Sequence, residues 1–328
     1  MSLRGWVSAL LICGAAAAQN PIRPAAELWK RHMESGRALA TTGHYSDAKE
    51  EFEAALQVAG KGEMNFASRI ELGTLAASIG RYTEAEQWDN QAVRLGVELY
   101  GKEGLELALP YANLAALYRE QREYARAEEL GRRALGLVSG NLSALPAVTA
   151  QVLGTLGGIL YYRGKLPEAE TILRQSIQIA SDLPQSSEIL AGDLSNLANV
   201  YARTGRNVEA LGTFQKAYVL VSSSIAPADP SLFYILAGMA SVQAGDGRYT
   251  EAVASLEAAI RVADAGSSIN SMPIRDALIA EAAWLHKLKR EGEAKRVRAR
   301  ASRVARAAAQ NSYSQYTLDA GQLAKSIH

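Results

Sequence analysis

A six-residue phrase recurs along this 328-residue chain at nearly constant spacing, and no other feature restricts the fold as tightly. It opens with glycine or a polar residue, often places an aromatic two positions later, and ends on alanine three further on. The copies are Gly43-His44-Tyr45-Ser46-Asp47-Ala48, Gly80-Arg81-Tyr82-Thr83-Glu84-Ala85 and Arg122-Glu123-Tyr124-Ala125-Arg126-Ala127. Three more follow: Gly164-Lys165-Leu166-Pro167-Glu168-Ala169, Gly205-Arg206-Asn207-Val208-Glu209-Ala210 and Gly247-Arg248-Tyr249-Thr250-Glu251-Ala252. Their first positions lie 37, 42, 42, 41 and 42 residues apart. Self-similarity at such a period means small units that each bury an apolar face on the next.

Each part of the phrase has a physical reading. A glycine at a helix end accepts the left-handed backbone that stops the helix. The aromatic packs into the turn, and the alanine sits where two helices come too close for a larger side chain. Upstream, a first helix carries small residues on one face, at Leu72-Gly73, Leu114-Ala115, Leu156-Gly157, Leu197-Ala198 and Met239-Ala240. Downstream, a second helix continues an apolar stripe at helical spacing, as in Ala127, Leu130, Ala134 and Leu135.

Leu-small, a large residue, then Gly-x-aromatic-x-x-Ala resembles the tetratricopeptide repeat, over roughly residues 29 to 265. The stretches Tyr111 to Leu130 and Leu194 to Gly205 look very like the repeats of kinesin light chains and their bacterial relatives. The fourth copy lacks the turn aromatic, and the sixth lacks the asparagine before the first-helix core residue. The resemblance implies an all-α fold, a right-handed superhelical solenoid of antiparallel helix pairs. About six repeats and a capping pair are expected. The usual repeat is near 34 residues, so about eight extra helical residues would lengthen each pair by roughly 12 Å.

The boundaries follow from composition. The repeat array is expected over 26–273, with joints at Ser139-Gly140-Asn141, Ser222 to Pro230 and Ala265 to Pro273. A degenerate pair over 274–310, with the stripe Val297, Ala301, Val304 and Ala308, reads as a cap, and 311–328 as a flexible tail. At the other end, Arg4 precedes the apolar run Gly5 to Ala18, and Ala16-Ala17-Ala18 stand before Gln19. This is the pattern of a secretory signal over 1–18, followed by a linker over 19–25. The run is short of the roughly 20 residues a spanning helix needs. The chain is therefore expected to be exported, periplasmic or secreted, with an uncleaved membrane anchor as the alternative. Ile12 argues against lipid attachment at Cys13, and cleavage would leave no cysteine for thiol chemistry.

Chemistry is sparse. His32, His44, His286 and His328 are scattered without metal-ligand spacing. Gly154, Gly157 and Gly158 fall inside a helical pattern, and Gly164-Lys165 is followed by Leu166, so no phosphate-binding loop is expected. Acidic pairs such as Glu50-Glu51 and Glu128-Glu129 read as solvated helix faces. No catalytic residue, metal or cofactor is expected. A content of 48% hydrophobic and 21% charged residues supports a packed core, and a net charge of +1 gives a nucleic-acid partner no support.

The expected partner is a protein or peptide held by the first helices on the concave side. In the resembling family an asparagine before the first-helix leucine hydrogen-bonds a bound peptide backbone; Asn113 and Asn196 match it, while Thr155 and Glu71 hold the equivalent place in two other copies. Helix-to-helix bonding is the alternative for the asparagines. Asn199, Arg119, Arg203, Tyr161 and Tyr162 lie further along that face, although the two tyrosines fit inter-repeat packing equally well. Tyr118 and Tyr201 fall at core positions. The arginines favour an acidic or neutral extended segment. Between Lys287 and Arg306 stand nine Lys/Arg against two acids. This stretch is read as a solvated cap face; membrane contact, through it or the N-terminal segment, is the lesser alternative. An accessory subunit, an enzyme with its site elsewhere and a self-associating envelope spacer remain as other readings, and the oligomeric state stays open.

Overall fold

The computed structural model describes residues 23–184, 186–224, 229–265 and 271–307. The expected signal, the tail, part of the second joint and most of the third lie outside them. Among the described residues there is helix and turn but no strand. The chain divides after Arg206 into two compact units. The first holds α1 (Arg23–Thr41), α2 (Tyr45–Val58), α3 (Glu63–Ser78), α4 (Tyr82–Tyr100), α5 (Ala108–Glu120), α6 (Tyr124–Val138), α7 (Pro146–Tyr162), α8 (Leu166–Ser181) and α9 (Ser187–Arg203). The second holds α10 (Asn207–Ser224), α11 (Pro230–Gly245), α12 (Tyr249–Asp264), α13 (Ser271–Lys287) and α14 (291–307). The helices are all-α hairpins packed in series, α1 on α2, α3 on α4, α5 on α6, α7 on α8 and α11 on α12.

The recurring phrase builds the turn of each hairpin. The backbone N–H of the residue after the glycine bonds the carbonyl five residues back, as in Arg81 to Ala76 (2.8 Å), Lys165 to Leu160 (3.0 Å) and Arg248 to Gln243 (2.9 Å). That bond closes a Schellman motif, which needs a left-handed residue just before the donor. Gly164 supplies it at φ 75°, but Arg122 occupies the same place at φ 64° with a full side chain. A further turn, not visible as a copy of the phrase, lies at Lys289-Arg290-Glu291-Gly292-Glu293-Ala294, 42 residues after Gly247. Lys289 is left-handed at φ 60°, Arg290 N bonds Leu285 O at 2.9 Å, and Ala294 is wholly buried. The degenerate pair is thus a seventh hairpin with lysine in the glycine slot.

The phrase alanines, Ala48, Ala85, Ala127, Ala169, Ala210 and Ala252, are at most 1% exposed, as close helix approach demands. The small first-helix residues act likewise. A Cβ on Gly157 would stand 2.6 Å from Leu173, and Ala115, Ala198 and Ala240 are fully buried. Larger side chains fill the space this opens: Phe52, Leu72 and Leu75 in one cluster, Leu114, Tyr118 and Ile159 in the next. Each large side chain so buried contributes roughly 1.5–3 kcal/mol.

Two acids are also buried. Asp89 of α4 lies against the bare Cα of Gly73, and Asp193 of α9 against that of Gly154. Burial pushes Asp89 well above the ordinary carboxylate range, opposed by a hydrogen bond from Asn113. Burial likewise raises Asp193 to about 7, opposed only by Ser176.

Successive hairpins of the first unit are stitched by ion pairs. Glu128, expected on a solvated face, is buried: it follows Ala127 and meets Lys165 (2.5 Å), Arg132 (2.8 Å) and Arg163 (3.0 Å). Burial works against its ionisation, but the three cations prevail and hold it at about 2. Glu170, which follows Ala169, pairs in the same way with Arg206, the residue after Gly205. Where the residue after the alanine is Lys49, the sign is reversed and the partner is Glu84 at 2.6 Å.

Candidate binding surface on the first helices

In the first unit the first helices pack on one another, α1 on α3, α3 on α5, α5 on α7 and α7 on α9. The second helices α2, α4, α6 and α8 make no comparable mutual contacts among the described residues. Tighter approach on one side bends a row of hairpins toward it, so the first helices line the inner side of this unit.

The fourth helix of that row is α7, in which every residue from Val148 to Leu160 is buried. Its three glycines admit three different neighbours. Gly154 receives Asp193, Gly157 receives Leu173, and Gly158 receives the side chains of Arg119 and Asn196. A Cβ at Gly158 would stand 3.2 Å from Arg119 Nη1 and 3.3 Å from Asn196 Nδ2. A guanidinium from α5 and an amide from α9 therefore meet over bare backbone on α7. Arg119 also pairs with Glu120, Nη2 to Oε1 at 2.7 Å, and its side chain is only 10% exposed.

The C-terminal end of α7 adds aromatic surface. Arg203 donates from Nη1 to the Tyr161 carbonyl at 2.8 Å, and its guanidinium lies 4.9 Å from the Tyr161 ring centroid. Tyr161 meets Tyr162 edge-on at 5.2 Å, and Tyr124 stacks on Tyr162 at 5.2 Å with the rings 4° from parallel. Tyr162 remains 53% exposed. Arg119, Asn196, Tyr161, Tyr162 and Arg203 thus come together on α5, α7 and α9. Asn199, three residues past Asn196 on α9, is half-buried.

The position before the first-helix leucine behaves otherwise than expected. Asn113 is 5% exposed and donates from Nδ2 to Asp89 (3.3 Å) and Thr74 (3.5 Å). Glu71 is 3% exposed and takes Nε and Nη2 of Arg37 at 2.9 and 2.7 Å. Thr155 is 3% exposed. Asn113 and Thr155 therefore sit inside the helix pack rather than on an open surface, and Asn113 finds its partners across helices. Asn196 alone among these four is half-buried. Tyr118 and Tyr201 are core side chains, 2% and 4% exposed, each covered by an arginine: Arg126 at 3.7 Å from one ring and Arg206 at 4.2 Å from the other. The sequence reading missed Gly158 and Tyr124 as parts of the surface. A glycine inside a helix signals close approach, but not by which neighbour.

No set of three or more acidic, histidine or cysteine side chains among the described residues is arranged to hold a metal ion. No described helix is long and apolar enough to cross a membrane.

Left-handed turns at a fixed period, close-packed alanines and first helices stacked on an inner side define an α-helical repeat protein. Models of the tetratricopeptide repeat match residues 65–138 and 188–265, 33–96, and 149–181. The chain belongs to the tetratricopeptide repeat family, whose members generally act by binding other proteins. Similar solved structures include the Cut9–Hcn1 hetero-tetramer of APC/C, at 14% identity and TM-score 0.59, covering 78% of this chain and 44% of that one. The apo quorum sensor NprR from B. thuringiensis matches at 14% identity and TM-score 0.54, covering 84% and 87%. A Podosopora anserina chain of kinesin-light-chain TPR-like repeats matches at 19% identity and TM-score 0.43, covering 61% and 93%. A search of curated proteins gives no match.

Proposed function

We propose that this protein is a non-catalytic interaction scaffold of the cell envelope, and that the inner side of its first unit holds an extended peptide segment of a partner protein. The convergence of Arg119 and Asn196 over the bare Cα of Gly158 carries the reading. Guanidinium and amide donors recognise a carboxylate or a main-chain carbonyl. The adjoining Tyr124–Tyr162 stack and the Arg203–Tyr161 pair supply stiff amphipathic area, the kind that dominates binding energy at interfaces. An acidic or neutral segment suits this surface. Export is supported by Arg4 and the Gly5 to Ala18 run.

Photo-crosslinking in the native cell tests the surface. A benzophenone amino acid in place of Tyr162 should yield one discrete adduct, which Arg119→Glu with Arg203→Glu abolishes. The same probe in place of exposed Glu129 on α6 should yield none. Equal adducts from both positions, or an adduct indifferent to the double charge reversal, would refute the reading. Export is tested separately by N-terminal sequencing of the mature chain: a start at Gln19 is expected, and a cytosolic chain still starting at Met1 would refute it.

A further inference from the structure

The cationic end of the second unit points to a separate contact. On α14, Ala294, Val297, Ala301 and Val304 dock onto α12 and α13, so the apolar side of the helix is fully used in packing. Arg300 and Arg290 flank that side and are paired, with Asp264 and Glu293. The outward side carries Lys295, Arg296, Arg298, Arg303 and Arg306, all exposed. None has a carboxylate at ion-pair distance among the described residues. At 3.6 residues per turn these five cations share an arc of about 160° along roughly 17 Å of helix. Exposed Lys287 and Lys289 stand at the preceding turn. Of the two acids of α14, Glu291 is held by His286 at 2.6 Å, and Glu293, whose charge also feels Arg296, pairs with Arg290.

We propose that the outer face of α14 docks on an anionic phospholipid surface through headgroup phosphates. Charge complementarity carries the assignment. Exposed Lys and Arg near an anionic leaflet each strengthen attachment about fivefold. The other exposed residues over 295–307 are Ala299, Ser302 and Ala307, which offer neither aromatic rings for base stacking nor amides for base edges, the features that single-strand and groove readers use. Docking through α14 is electrostatic and stays at headgroup depth, because the outer face offers no apolar side chain larger than alanine to insert. It does not depend on the peptide surface of the first unit.

The test is co-sedimentation of the full chain with vesicles of phosphatidylcholine alone and of phosphatidylcholine with about 30% phosphatidylglycerol, at about 50 and 300 mM NaCl. Binding is expected to the anionic vesicles only, to fall steeply with salt, and to weaken about 100-fold in Lys295→Gln/Arg298→Gln/Arg303→Gln. A control with the same loss of charge elsewhere, Lys61→Gln/Arg94→Gln/Lys102→Gln, should bind like the native chain. Circular dichroism confirms that both variants keep their helix content, which these exposed positions predict. Equal binding to neutral vesicles, equal loss in the two triple variants, or tighter binding to a DNA duplex of matched phosphate concentration would each overturn the proposal.

Discussion

Replacing Asp193 with asparagine removes a charge from a place that has nothing to balance it. Ser176 Oγ lies 2.6 Å from both Asp193 Oδ2 and the Ala150 carbonyl oxygen. A hydroxyl has one proton to give. If Ser176 donates to Ala150, the short contact to Asp193 requires the carboxyl to carry a proton and donate in turn. The other oxygen faces the Cα of Gly154, and no charged side chain of α7, α8 or α9 acts on the group. Burial accordingly raises the folded-state value from 3.8 to about 7. The folded chain then binds more protons than the unfolded one between those limits, so stability is full below the lower value and falls as pH rises toward the upper. At 1.36 kcal/mol per unit the whole shift costs about 4 kcal/mol above pH 7, and the part lost between pH 5 and pH 8 is about 2–3 kcal/mol. Asparagine presents the same shape and can still donate to Ser176, without the charge. Urea denaturation of the native chain and Asp193→Asn at pH 5 and pH 8 reads the difference directly, since Asp89 and Glu281 titrate alike in both. The stability gap in favour of Asp193→Asn should widen by about 2–3 kcal/mol from pH 5 to pH 8. A gap that does not change with pH would refute the reasoning.

Other expectations follow from single contacts. Arg122→Gly and Lys289→Gly should each raise stability by about 0.5–1 kcal/mol, because relief of a left-handed backbone outweighs the chain entropy glycine adds; a loss in thermal melts would count against it. Gly157→Ala should destabilise by about 1–3 kcal/mol through collision with Leu173, whereas Gly158→Ala should leave the melting temperature level or higher while weakening peptide capture. Glu128→Gln should cost about 1–2 kcal/mol at neutral pH, since its three cations are themselves part-exposed. Because its folded value is depressed, that contribution is present above about pH 4.5 and lost as pH falls through about 2; an acid titration of stability in which native and Glu128→Gln chains stay parallel would contradict it.

Much of the hairpin architecture was legible because its causes are local. The phrase fixes a left-handed residue and, five positions on, a buried alanine, and both stand where the spacing puts them. The seventh turn was hidden because Lys289 and Glu291 replace the glycine and the aromatic, although the backbone bonds are the same. The surface was legible only in part. Arg119, Tyr161, Tyr162 and Arg203 lie near helix C-terminal ends, where a sequence reading places them well. Asn113 was drawn inward by geometry that spacing does not disclose: Asp89 buried against Gly73 needs a donor, and Asn113 supplies it. Glu128 looked solvated because its partner Lys165 arrives from the next hairpin, 37 residues later.

The glutamate after the buried alanine and the cation after the next left-handed glycine form a lock whose two halves belong to one period of sequence. At Glu128 with Lys165, and again at Glu170 with Arg206, the fastening is the same. A segment copied or excised as a whole period would carry its own fastening with it, and the cut ends would find matching partners. The length of the inner face can therefore grow or shrink in steps of one hairpin without any new joint having to be invented.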